Sequence, residues 1–202
     1  ELWKLRITSV PAPGDMPAYI AAALKGQQDR RWRIEHAQVI TPADMPKFGQ
    51  FGIVPSVQPT HATSDMYWAG ERLGAARLKT AYAYAALLKQ YGQVALGSDF
   101  PVEDINPLFG FHAAVARQDA KNIPAGGFQM ENALSRPDAL RGMTTWAAHA
   151  GFEEKRKGQI KPGMLADFVV LDTDLLTAPN AKLRGANVLQ TWIGGQRVFE
   201  RK

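Results

Sequence analysis

Residues 94–101 read Val94-Ala95-Leu96-Gly97-Ser98-Asp99-Phe100-Pro101, a short apolar run that ends at a glycine and is followed by a carboxylate and a proline. Such a run favours a buried parallel strand, and the proline ends it because it has no N–H to donate to the ladder. In barrels of alternating strands and helices, side chains at the carboxyl ends of strands do the chemistry. Asp99 is therefore a candidate functional residue, and a turn or helix-capping role is the open alternative.

Two earlier segments have the same form. Residues 32–37 are predicted to be a strand that ends in His36, and residues 52–58 a second strand that leads into His61. From His36 to Asp99 the chain runs about two barrel units of roughly 31 residues each. We therefore expect His36, His61 and Asp99 on one rim of a parallel sheet. For each histidine alone, a hydrogen-bonded structural role remains the alternative.

The remaining segments predict a change of architecture along the chain. A strand at 5–10 and the end of a helix at 21–27 come first, a helix opens at Thr41, and a long loop over 62–78 precedes a helix at 79–91. A further helix is expected over 137–150, with Ser135 as its cap. Beyond residue 158 the pattern is one of short strands, and Gly194-Gly195 predicts a hairpin turn.

Composition narrows the classes of protein and of site. The chain has 202 residues, of which 46% are hydrophobic and 21% charged, as in ordinary globular domains. Cysteine is absent, so any metal must be held by His, Asp or Glu. The net charge is +5, but the basic residues are scattered, which is typical of solvated faces and argues against nucleic-acid binding.

No apolar run is long enough to cross a bilayer, which argues against a membrane partner. The first residues lack the form of a signal peptide, as is typical of a cytoplasmic protein. The oligomeric state stays open, with a homo-oligomer as one alternative.

Imidazole nitrogen and carboxylate oxygen are ligands that suit zinc and similar divalent ions, and a catalytic site keeps one position open for water. Such an ion lowers the pKa of its water toward about 7, and a nearby carboxylate can then accept the water's proton. The three strand ends together therefore predict a metal-dependent hydrolytic site.

Four motifs then point to one family. They occupy residues 32–38, 56–61, 97–103 and 158–168. In that order they resemble the metal-dependent amidohydrolase superfamily, and most of all amidohydrolase family 3, the group of hydrolases similar to N-substituted formamide deformylase. The resemblance runs from about residue 21 to residue 202.

The resemblance implies an α/β fold: the C-terminal part of a (β/α)8 TIM barrel over residues 1–157, and strands of a small composite β-sandwich over 158–202. It implies hydrolysis of carbon–nitrogen bonds of amide or formamide type by metal-activated water, with a small-molecule substrate. The implied cofactor is a divalent metal, zinc first, with iron or manganese as alternatives.

The resemblance also implies roles for single residues. His36 would be a metal ligand, and Asp99 would be both a metal ligand and the general base. His61 would contact the substrate and stabilise the oxyanion, with a structural role as the alternative. Apart from the resemblance, Gln58 and Trp68 are candidate substrate contacts, Trp68 because it lies in the predicted loop above the His61 strand, where aromatic packing of the loop explains it equally well.

The chain departs from the family pattern in its histidines. The only four are His36, His61, His112 and His149, and no two of them form the His-x-His pair of the family's first strand. We therefore expect segments before Glu1 and near Ile20 to be missing and to supply the other ligands. The alternative is a non-catalytic barrel fragment or scaffold that lacks a complete metal site.

Overall fold

The computed structural model describes residues 29–202, so the strand predicted at 5–10 and the helix end predicted at 21–27 lie outside the described residues. The described strands are β1 Arg33–Glu35, β2 Val54–Val57, β3 Ala95–Leu96, β4 Phe168–Leu171, β5 Val188–Ile193 and β6 Gln196–Glu200. The described helices are α1 Lys47–Gln50, α2 Pro59–Leu78, α3 Tyr84–Tyr91, α4 Pro107–Ala116, α5 Arg136–Met143, α6 Thr145–Ala150 and α7 Asn180–Leu183, with a 3₁₀ turn at Met130–Asn132.

The first three strands form a parallel sheet in the order β1-β2-β3. Ser56 in the central strand pairs with Glu35 on one side and with Ala95 on the other. Because parallel strands have their carboxyl ends at the same edge, the segments that follow Glu35, Val57 and Leu96 leave the sheet side by side. The three predicted parallel strands are confirmed in this region, with helices between them.

Residues 62–78 form most of helix α2, so the predicted loop is wrong. Pro59 lies in the first turn, where its missing N–H leaves no helical bond unmade. Burial is limited to that first turn and Ala69, so the rest of α2 carries no apolar stripe by which a helix is recognised in a sequence. Gly74 interrupts the helix with φ of 73°, a conformation that glycine adopts without a Cβ clash.

Two other helices differ from their predicted bounds. Helix α3 begins at Tyr84 rather than near residue 79. The helix predicted over 137–150 is divided into α5 and α6 at Thr144, whose backbone leaves the helical region. The predicted cap is confirmed: Ser135 Oγ accepts a hydrogen bond from the Asp138 N–H at 3.2 Å.

One apolar cluster holds the parallel sheet against its helices. Its fully buried side chains come from the sheet, from α1, α3, α4 and α7 and from the segments beside them; the largest are Tyr82, Tyr84, Phe48, Phe111, Ile53, Leu87 and Leu183. Complete burial of such a side chain stabilises the folded state by about 1.5–3 kcal/mol. The cluster therefore fixes the sheet from which the candidate site residues extend.

The last three strands form a separate antiparallel sheet in the order β4-β5-β6. Gly194 and Gly195 join β5 to β6 with φ of 59° and 80°, as a type I′ hairpin turn requires, so the predicted hairpin is confirmed. Closure of the first sheet into a barrel and of the second into a sandwich stay predictions. None of the helices within residues 29–202 is both long and apolar enough to cross a membrane.

Candidate metal centre

The three predicted residues meet at the carboxyl edge of the parallel sheet. His36 follows β1 directly, His61 lies in the first turn of α2 after β2, and Asp99 lies in the loop after β3. One ligand atom from each of the three falls within 4.8 Å of the others. The fold thus brings together three residues that lie far apart along the chain, as their spacing predicted.

The Asp99 carboxylate lies between the two imidazoles. Its Oδ2 is 3.2 Å from His61 Nε2 and 3.9 Å from His36 Nδ1. The two rings stack with centroids 5.4 Å apart. His61 is buried, while His36 and Asp99 are partly exposed, so the group is accessible from one side.

Two of the three residues have backbones in the left-handed region. His36 has φ of 68° and Asp99 has φ of 62°, and such a conformation costs a residue with a Cβ roughly 1–3 kcal/mol. The left-handed backbones of His36 after β1 and of Asp99 after β3 could not be predicted from the sequence. Strain of this kind concentrates at functional sites because the surrounding structure has to hold it.

Gln58 lies behind His36. Its Oε1 is 2.8 Å from His36 Nδ1, and the side chain is buried. The amide oxygen accepts the Nδ1–H hydrogen bond, which leaves the lone pair of Nε2 free. Metal-binding histidines usually donate their other ring N–H to such an acceptor. The Tyr84 hydroxyl donates to the Gln58 carbonyl at 3.2 Å, which fixes the backbone of this residue.

A second group of polar side chains lies behind His61. Gln38 Nε2 is 3.3 Å from His61 Nδ1 and 3.1 Å from Asp65 Oδ2. The Tyr82 hydroxyl donates to the same Asp65 oxygen at 2.9 Å. Burial, followed by the hydrogen bond to Asp65, raises the pKa of the Tyr82 hydroxyl, so this group stays protonated.

The donor set fits a divalent ion. A tetrahedral zinc ion with bonds of about 2.1 Å separates its ligand atoms by roughly 3.4 Å. Candidate ligand atoms of His36, His61 and Asp99 lie within 4.8 Å of one another, which is near that separation. Nitrogen and carboxylate oxygen are also the donor types that zinc accepts in catalytic sites.

Comparison with known proteins identifies the family. Residues 15–199 match the model described as "Amidohydrolase family". The chain belongs to the amidohydrolase family. It is 41% identical over 186 residues to Protein LONG AFTER FAR-RED 3 of Arabidopsis thaliana, an alignment that covers 92% of this chain and 31% of the relative. It is 27% identical over 190 residues to N-substituted formamide deformylase of Arthrobacter pascens, covering 92% and 34%.

A solved structure shares the architecture. The chain superposes on an uncharacterized metal-dependent hydrolase of Pyrococcus horikoshii OT3 with a TM-score of 0.64 and 29% identity, covering 73% of this chain and 30% of the other. This amidohydrolase chain therefore spans about a third of the length of the relatives that it matches. The resemblance to formamide deformylase-like hydrolases is confirmed.

The other candidate residues of this amidohydrolase lie in distinct surroundings. Trp68 is part of the exposed side of α2, with the Arg72 guanidinium 4.8 Å from its ring centre. His112 is fully buried in α4. His149 Nε2 lies 3.3 Å from the Tyr91 hydroxyl. Substrate contacts of Trp68 and Gln58 stay predictions.

Sequence reasoning missed Gln38, Asp65 and Tyr82 as parts of the site. Gln38 stands two residues after His36, and Asp65 four residues after His61 on α2, so once α2 is known to be a helix Asp65 lies on the same face as His61. Because this segment was predicted to be a loop, the sequence did not show that Asp65 lies beside His61.

Proposed function

We propose that this amidohydrolase is a metal-dependent hydrolase of carbon–nitrogen bonds of amide or formamide type. The observation that carries the proposal is the meeting of His36, His61 and Asp99 at the carboxyl edge of the parallel sheet. Similarity to a protein named N-substituted formamide deformylase supports the choice of bond. The substrate is accordingly a small molecule with an acyl group on nitrogen.

His36 and Asp99 would hold the metal. A bound divalent ion supplies Lewis acidity and lowers the pKa of water to about 7. Zinc suits this donor set best, and iron or manganese are the alternatives. The ligands beyond His36 and Asp99 would come from outside the residues described.

Asp99 and His61 would move the proton and stabilise the charge. Water attacks the carbonyl carbon while Asp99 accepts its proton, and the C–N bond then breaks as Asp99 returns that proton to the leaving nitrogen. The products are an acid and an amine. His61 Nε2 would donate a hydrogen bond to the carbonyl oxygen as negative charge develops there.

A scaffold without metal is the second candidate, because the chain contains no His-x-His pair. It would keep the fold of the family and bind partners instead of substrate. Metal content separates the two candidates directly.

The test uses the full-length protein. Elemental analysis is expected to find zinc, iron or manganese, and the metal is expected to be lost in His36→Ala and Asp99→Ala. Release of formate from an N-substituted formamide, and of acid from N-acyl amines, measures turnover. We expect kcat to fall by about 100-fold or more in Asp99→Asn, since the general base is removed.

Matched controls lie at the opposite edge of the sheet. Asp29 and the backbone of His149 both bind Arg31, which precedes β1, so Asp29→Asn and His149→Ala should keep the metal and the turnover. Wild-type activity in Asp99→Asn would disprove the role of that residue. A folded protein without metal would replace the hydrolase proposal with the scaffold.

A further inference from the structure

The hydrogen bonds among Gln38, Asp65 and Tyr82, behind His61, each have a defined direction from donor to acceptor. Gln38 Nε2 faces both Asp65 Oδ2 and His61 Nδ1. An ionised carboxylate only accepts hydrogen bonds, so the Gln38 atom beside Asp65 has to be the amide nitrogen and not the amide oxygen. The Tyr82 hydroxyl donates to the same carboxylate oxygen, so this oxygen has two donors.

The direction of these hydrogen bonds also determines which ring nitrogen of His61 carries the proton. An amide nitrogen has two hydrogens and no lone pair to offer, so His61 Nδ1 has to be the acceptor of the second hydrogen. A neutral imidazole that accepts at Nδ1 carries its proton on Nε2. Turning the ring by 180° would place a carbon atom instead of Nδ1 against Gln38 and lose this hydrogen bond, which favours the ring orientation of the structure.

The proton on Nε2 is held without a partner. Nε2 lies 3.2 Å from Asp99 Oδ2, but this contact is not a hydrogen bond, and Nε2 has no hydrogen-bond partner within residues 29–202. His61 is only 6% exposed. A buried donor without an acceptor is costly, and the cost disappears when a bound molecule supplies the acceptor.

We propose that Gln38, oriented by Asp65, is a positioning residue that keeps the His61 proton on Nε2, so that His61 donates to substrate oxygen and is not a metal ligand through that atom. An Nε2–H has no free lone pair for an ion, so the site would use His36 and Asp99 as its ligands from this chain. The use of the proton rests on the proposed function, whereas the position of the proton does not.

The first measurement reads the tautomer directly. Histidine labelled with ¹⁵N in the metal-free full-length protein gives separate nitrogen shifts for protonated and unprotonated ring atoms. At about pH 8.5, well above the ordinary histidine pKa of roughly 6.5, we expect the His61 proton on Nε2. A proton on Nδ1 in the wild-type protein would overturn the proposal.

Variants test the cause. In Gln38→Glu a carboxyl oxygen takes the place of the amide nitrogen. Two carboxyl groups this close share one proton, so this oxygen donates to Asp65 and accepts from the ring, and the His61 proton should move to Nδ1. In Asp65→Asn the amide of Gln38 is no longer held in one orientation, and the Nδ1–H share should rise. Tyr82→Phe removes a hydrogen bond to the same carboxylate without changing Gln38, and it should keep Nε2–H. An unchanged tautomer in both Gln38→Glu and Asp65→Asn would overturn the proposal.

Kinetics of the metal-loaded protein give the consequence. Loss of an oxyanion donor lowers kcat by about 100-fold, and we expect this in Gln38→Glu with KM within about twofold. Metal content should be unchanged, because neither ligand is altered. If the wild-type protein shows Nε2–H but no hydrolysis, the proposed function fails while the tautomer assignment stands. If it hydrolyses amides with Nδ1–H, only the positioning role fails.

Discussion

Some polar side chains of this amidohydrolase are completely buried. His112 is fully buried in α4, and Asn122 is a polar side chain beside its ring, although no hydrogen bond of good geometry reaches either ring nitrogen within residues 29–202. Burial, and then the charge of Arg184, lowers the pKa of His112 below 6.5. Just below pH 6.5 the folded protein therefore keeps the His112 imidazole neutral, whereas the unfolded chain takes up a proton.

This difference predicts the pH dependence of stability. Below pH 6.5 the unfolded state binds the additional proton, so the free energy of unfolding falls as pH falls through that value. His112→Leu removes the titrating group at similar volume, and its free energy of unfolding relative to wild type should rise as the pH is lowered from about 7.5 to about 5.5. Urea unfolding of the full-length protein measures both curves, and parallel curves would contradict the prediction.

At the level of elements, the strand that leads to Asp99 is held by a close helix contact. A Cβ added at Gly142 in α5 would lie 2.6 Å from the Leu96 side chain and 2.9 Å from the Val94 carbonyl oxygen. Helix α5 therefore approaches β3 at a distance that only glycine permits. Gly110 in α4 has nothing within 4 Å of the same position.

The two glycines form a matched pair. Gly142→Ala should lower the free energy of unfolding by about 1–3 kcal/mol, because strand and helix have to separate. Gly110→Ala should raise it by about 0.5–1 kcal/mol, because alanine loses less backbone freedom in a helix. Chemical denaturation of both variants measures this, and equal effects would show that the contact between α5 and β3 is unimportant.

Across the whole molecule, the C-terminal region contributes to the core of the parallel sheet. Leu183 in α7 is fully buried in the same cluster as Phe111 of α4, and the Arg184 guanidinium lies 3.7 Å from the centre of the Phe109 ring. The segment around α7 therefore packs against α4, whereas β5 and β6 belong to the antiparallel sheet.

Leu183→Ala should lower the free energy of unfolding by about 2–5 kcal/mol because of the cavity that it leaves. Native-state hydrogen exchange in the full-length protein should show the lost protection in α4 and not in β5 and β6. The control Leu176→Ala removes a side chain that is 46% exposed, and its effect should stay within about 0.5 kcal/mol. Loss of protection in β5 with α4 unchanged would contradict this packing.

The sequence by itself determined the parallel strands, the hairpin at Gly194-Gly195 and the meeting of His36, His61 and Asp99. These features follow from apolar runs, turn residues and spacing, which are local, and parallel strands place their carboxyl ends at one edge whatever the loops do.

Only the tertiary structure decided helix α2, the hydrogen bonds from Gln38 to His61 and Asp65, and the burial of His112. Helix α2 buries little beyond its first turn, so it has no periodic pattern to predict it. The polar contacts join side chains from different elements, and their distances depend on packing that no single stretch of sequence encodes.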